Sequence, residues 1–120
     1  MKSDFLYDFE DRLNQLLERD RTHQKDIERK ALFYIVAGSH DLYKKADHIY
    51  DFKDHSIKPE CLESESVDFS SGSRKLIQLA FNLYNGYPAD VLDTFNVLDD
   101  HNFNLAMDAL RIRFNRGMKK

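Results

Sequence analysis

Residues 28–38 read ERKALFYIVAG, a charged first turn followed by an unbroken apolar run from Ala31 to Ala37. Placed on a helix at about 100° per residue, that run leaves no polar side. A helix of this kind has to be enclosed by other helices, and Gly38 offers a left-handed stop at its end. The segments on either side read as one-sided amphipathic helices that can provide the enclosure. The spacing therefore predicts an all-α fold, a single domain over residues 1–120 with about five to seven helices around a buried central one.

Working outward, Ser3 or Asp4 is placed to cap a first helix running to about Asp20. Phe5, Leu6, Phe9, Leu13, Leu16 and Leu17 form its buried stripe, with Asp4, Asp8, Glu10 and Asp11 near the positive end of its dipole. Thr22 is the expected cap of the central helix and Ser39 that of a third, HDLYKKADHIY. Periodicity fails from Asp51 to Ser73, where Pro59 and the serine-rich runs mark a long connection with one helical turn near Pro59 to Leu62. Phe52, Ile57, Leu62, Val67 and Phe69 are scattered through it, a pattern expected of a loop pinned to a core. Ser73 opens a strong helix closed by Gly86, and Leu76, Ile77, Leu79, Ala80, Phe81, Leu83 and Tyr84 give it an apolar arc of roughly 200°. Pro88 suits the first turn of the next helix, with Val91, Leu92, Phe95 and Leu98 turned inward. Asp99 or Asp100 caps the last helix, which carries Phe103, Leu105, Ala106, Ala109, Leu110, Ile112 and Phe114. No segment alternates as a strand does.

The bulk properties narrow the function classes. A formal charge of −3, with 32% charged residues, exerts no general pull on nucleic acid or on an anionic membrane. The basic tail from Arg111 to Lys120 is what a helix dipole favours at a C-terminus, and it lacks the interleaved aromatics of a nucleic-acid face. The lone Cys61 has no partner for an internal disulfide, and the first residues turn acidic where a secretion signal needs an apolar core. No run reaches the length of a membrane span. A cytoplasmic protein is expected.

Four groups of residues bear on chemistry. His40, Asp41, His48, Asp51 and His55 crowd the middle of the chain, and their convergence would make a metal-dependent hydrolase or nuclease. Their spacing matches no metal signature, so a solvated loop and helix end is the plainer reading. Gln78, Asn82 and Asn85 recur at i, i+4 and i+7 as an uncharged amide stripe, with Tyr87 just beyond. Amides are poor helix formers, so the stripe is expected to hydrogen-bond, either to loops of its own chain or to a partner protein. Arg113 falls angularly among Ala106, Ala109 and Leu110, and Glu28 between Leu32 and Ile35. The two are expected either to form a buried ion pair or, for Arg113, to reach water from a helix end. Cys61 lacks a defensible base and reads as a small buried thiol.

With ERKALFYIVAG, IYDFKDHSIKPECL, AFNLYNGY and NFNLAMDALRIRF all present, the chain resembles a family of small uncharacterised Firmicute proteins from about Asp26 to Phe114. The resemblance carries no activity, cofactor or catalytic residue, and implies a prophage or plasmid accessory role. The leading expectation is a non-enzymatic helical interaction module, encoded by a phage or mobile element, that modulates or inhibits a larger bacterial protein such as a defence enzyme. No cofactor is expected. The amide stripe with Tyr87 is its candidate surface, which would serve equally for a homodimer.

Overall fold

A computed structural model describes residues 8–117. Seven α-helices lie among them: α1 (Phe9–Asp20), α2 (Ile27–Gly38), α3 (His40–Lys44), α4 (Ala46–Ile49), α5 (Ser71–Asn85), α6 (Val91–Asn96) and α7 (Asp100–Arg113). Between α4 and α5 come two two-residue strands, β1 (Tyr50–Asp51) and β2 (Ser56–Ile57), and one 3₁₀ turn, Pro59–Leu62. The strands pair antiparallel, Tyr50 with Ile57 and Asp51 with Ser56, so the connection holds a small hairpin that the sequence pattern did not reveal. A ladder this short has too few residues to display period-two alternation.

The apolar run of α2 is the centre of the molecule. Ala31, Leu32, Phe33, Ile35, Val36 and Ala37 are all buried, and α1, α3, α5 and α7 pack around them. Tyr34 is the half-buried exception; its hydroxyl donates to Asp108 Oδ2 at 3.2 Å and its ring meets the edge of Phe9. Burial and the Asp108 charge push the Tyr34 phenol up to about 12.

Gly38 does not act as a left-handed stop. It is the last residue of α2 and lacks a positive φ, which among the described glycines belongs to Gly86. A Cβ on Gly38 would lie 2.2 Å from Leu105 Cδ1, so the glycine is what lets α7 approach the end of α2. The last carbonyls of α2 are satisfied from outside the helix. Arg12 Nε donates to the Ala37 carbonyl at 2.6 Å, and His101 Nε2 lies 2.9 Å from the Gly38 carbonyl.

Several expected caps move by a few residues. Among the described residues α1 begins at Phe9 under an Asp8 cap; Ser3 and Asp4, with Phe5 and Leu6, lie outside them. Asp26, not Thr22, caps α2, which begins only at Ile27; the Thr22 hydroxyl donates instead to Asp20. Ser39 caps α3 as expected, but the third helix breaks at Lys45 into α3 and α4. Ser70, not Ser73, caps α5, and Asp90 caps α6, leaving Pro88 ahead of that helix. Asp99 caps α7.

The long connection is pinned down. Val67, Phe69 and Cys61 are buried, and Phe52, Ile57 and Leu62 pack partly buried against the core. Cations hold its backbone carbonyls: Lys45 takes that of Asp68 and Arg74 that of Leu62.

Candidate interaction surface and the polar hub behind it

The mid-chain histidines and acids do not converge. His40 and His48 are exposed, Asp41 pairs with Lys45 at 2.7 Å, and Asp51 accepts from the Lys53 and Asp54 backbone N–H groups. Among the described residues no group of three or more His, Cys, Asp or Glu side chains could hold a metal ion. The metal-hydrolase expectation for His40, Asp41, His48, Asp51 and His55 is therefore corrected. α4 ends at Ile49 and the chain reverses through the hairpin, so their helical spacing is lost.

His55 instead joins a buried hub centred on Asp20, the last residue of α1. Asp20 is 1% exposed. Its Oδ1 accepts from Tyr50 Oη at 2.8 Å and lies 2.7 Å from His55 Nδ1; its Oδ2 accepts from Thr22 Oγ1 at 2.5 Å. Arg29 Nη1 stands 4.0 Å from Oδ2, while Arg29 Nη2 donates to the His55 carbonyl at 3.2 Å. Burial alone would raise the Asp20 carboxyl. The hydrogen bonds from Thr22, His55 and Tyr50, with the Arg29 charge, outweigh it and hold the carboxyl below its ordinary value. Burial, then the bond to Asp20, pushes the Tyr50 phenol well up.

The hub locks the hairpin tip. His55 sits at φ 58, in the left-handed region, with its ring held by Asp20 and its carbonyl by Arg29 and by Tyr84 Oη at 3.4 Å. Arg19 stacks over the Phe52 ring 4.0 Å from its centroid. The sequence pattern did carry a signal for this hub. Leu13, Leu16, Leu17 and Asp20 follow i, i+3, i+4, i+7 spacing, which places an acid in the middle of an apolar stripe.

The amide stripe is engaged within the chain. Gln78 Nε2 donates to the Pro88 carbonyl at 2.9 Å, Asn82 Nδ2 to the Tyr87 carbonyl at 2.8 Å, and Asn85 Oδ1 accepts from the Tyr87 N–H at 3.2 Å. Tyr87 packs half-buried against the edge of Phe81. Together these bonds fix the α5–α6 connection, the first of the two roles read from the sequence.

Glu28 and Arg113 do meet, but not as a buried bidentate pair. Their nearest atoms are 3.9 Å apart, and the side chains are 45% and 30% exposed. The stronger bond of Arg113 runs from Nε to the Leu83 carbonyl at 2.6 Å, satisfying one of the last carbonyls of α5. Cys61 is buried, and burial pushes its thiol up to about 11, which makes it inert.

A cavity of about 410 Å³ between α1 and the α3–α4 pair is lined by Arg12, Arg19, His40, Tyr43 and Asp47. Both of its arginines already have partners. Arg12 holds the Ala37 carbonyl and Arg19 pairs with Asp47.

The surface of α6 and α7 differs from the rest. Val91 and Leu92, expected to face inward, are 71% and 72% exposed; Thr94 takes the inward position of α6 at 1%. Phe95 reaches Phe103 edge-on at 5.6 Å between ring centroids and links this face to α7. Along α7, Phe103, Met107, Leu110 and Phe114 recur at i, i+4, i+7 and i+11, within about 60° of one another on the helix. This second stripe borders the buried Leu105, Ala106 and Ala109: Leu110 still packs partly against the core and Met107 is half-buried, while its two ends are open. Phe103 is 43% exposed and Phe114 60%. Exposed apolar side chains thus lie on both helices, which the Phe95–Phe103 contact joins.

Fold and surface together define an all-helical single domain with a closed core, a pinned hairpin and one bare apolar face. The chain belongs to a family of unknown function (DUF6075), which matches residues 3–120. Comparison with curated proteins and with solved structures found no match.

Proposed function

We propose that this protein is a non-enzymatic interaction module that works by seating another polypeptide on its α6–α7 face. The observation that carries the reading is the exposure of Val91, Leu92, Phe103 and Phe114, each between 43% and 72%, on two helices that the Phe95–Phe103 ring contact joins. Singly exposed apolar side chains are ordinary, but a linked set of aromatic and aliphatic groups marks a contact surface. Covering each of them gains on the order of 1–2 kcal/mol. Such a module acts by occupancy rather than turnover, in the manner of a modulator or inhibitor of a larger bacterial protein. The free, inert Cys61 suits a reducing cytoplasm, and the phage or mobile-element setting is the one the family resemblance implies.

A photo-crosslinking amino acid at Leu92, compared with one at the exposed Glu65 in the connection before α5, tests this in living producer cells. Covalent adducts to polypeptide from position 92 and none from position 65 are expected. Absence of adducts at position 92 would overturn the proposal.

A further inference from the structure

We infer that the chain covering the α6–α7 face in the free protein is a second copy of itself, with the two α7 helices antiparallel about a two-fold axis passing between Met107 and Leu110. This rests on the reading of that face as a contact surface and names its occupant. The argument begins with shape. The stripe from Phe103 to Phe114 spans about 16 Å along the helix. At its C-terminal end Met107, Leu110, Arg111, Phe114 and Arg116 line a shallow hollow of about 510 Å³. At its N-terminal end Phe103, 43% exposed, lies edge-on against the half-buried Phe95. Antiparallel pairing sets Phe103 of each copy opposite Phe114 of the other, and Met107 opposite Leu110. The exposed Phe103 of each copy then covers the hollow of the other, and both contacts form twice, as an isologous interface requires.

Charge specifies the same arrangement. Asp100, at the start of α7, has no ion-pair partner among the described residues, and neither have Arg111 and Arg116 at the far end. The acid end of the strip is thus complementary to its own basic end, and the two-fold pairing brings Asp100 of each copy toward Arg116 of the other. A parallel pairing would set like charges together at both ends. An interface of this kind keeps its centre apolar and its charges at the rim.

Sedimentation equilibrium on the full chain from low micromolar to several hundred micromolar tests the inference. The expected mass at the upper end is twice 14.2 kDa. Phe114→Asp, at an exposed position, should give a monomer with unchanged far-ultraviolet dichroism and melting. Asp100→Lys and Arg116→Asp should each raise the dimer dissociation constant about 10-fold, since two exposed pairs are lost at once. Both substitutions in one chain should return it to within about threefold of the parent. A single 14.2 kDa species at every concentration would overturn self-pairing, as would a dimer indifferent to Phe114→Asp and to the charge exchanges. A monomer that still crosslinks from position 92 to a different polypeptide overturns the second copy alone; loss of both results overturns the face as well.

Discussion

Asp20→Ala is the substitution whose effect can be worked most closely from the structure. The carboxylate is 1% exposed and holds Tyr50 Oη, Thr22 Oγ1 and His55 Nδ1 within 2.5–2.8 Å. Removing it strands the Tyr50 hydroxyl, itself on a side chain 1% exposed, and leaves the Arg29 charge without its buried counterpart. Each bond to a charged group contributes about 1.5–3 kcal/mol, from which the relief of burying no carboxylate must be subtracted. A net loss of about 3–5 kcal/mol is expected, a large part of the stability of a domain this size. For a urea m-value of about 1.5 kcal/mol/M, the unfolding midpoint should fall by roughly 2–3 M. Tyr50→Phe should cost about 1.5–3 kcal/mol, the one bond to the carboxylate, because Asp20 keeps its other donors. Acid adds a second reading. The folded-state carboxyl of Asp20 lies below its ordinary value of 3.8. Its stabilisation is therefore complete above pH 3.8 and is lost as pH falls through the lower folded value. Urea unfolding at pH 7 and at stepped pH below 4 reads both effects, and Asp20→Asn should flatten the acid limb. A midpoint for Asp20→Ala within 0.5 M of the parent, or an unchanged acid limb in Asp20→Asn, would refute the hub as a structural anchor; the 0.5 M limit corresponds to about 0.8 kcal/mol.

Other substitutions test other joints. Gly38→Ala drives a Cβ into Leu105 and should lower stability by about 1–2 kcal/mol despite the better helix propensity of alanine, as thermal melting would show. Arg113→Ala should cost about 1–2 kcal/mol through the lost bond to the Leu83 carbonyl, and Glu28→Ala under about 0.5 kcal/mol; equal losses would point back to the ion pair. Cys61, with its thiol pushed up to about 11, should resist a thiol reagent at pH 8 in native protein and react at once in urea.

What could be read from the sequence was whatever depends on local pattern. The apolar run of α2, the wide arc of α5, the Ser39 cap and the loop anchored by Val67 and Phe69 all depend on residues near one another in the chain. What escaped depends on partners brought from far away. Gly38 answers to Leu105, sixty-seven positions on by the numbering. The hub needed α1, α2, the hairpin and α5 placed together before His55 could find Asp20. Asp20 was nonetheless open to the same helical-wheel argument that picked out Arg113. The outward turn of α6 escaped for another reason. In a six-residue helix, an apolar face does not announce whether it looks in or out, and here Thr94 took the inward place.

The central claim, that the α6–α7 strip is where this chain meets another polypeptide, is tested most directly by hydroxyl-radical footprinting. Phe103, Met107 and Phe114 should oxidise several-fold more slowly inside producing cells than in dilute purified protein, while the exposed His40 and His48 keep their rates. Equal oxidation of the three residues in both settings would contradict the account.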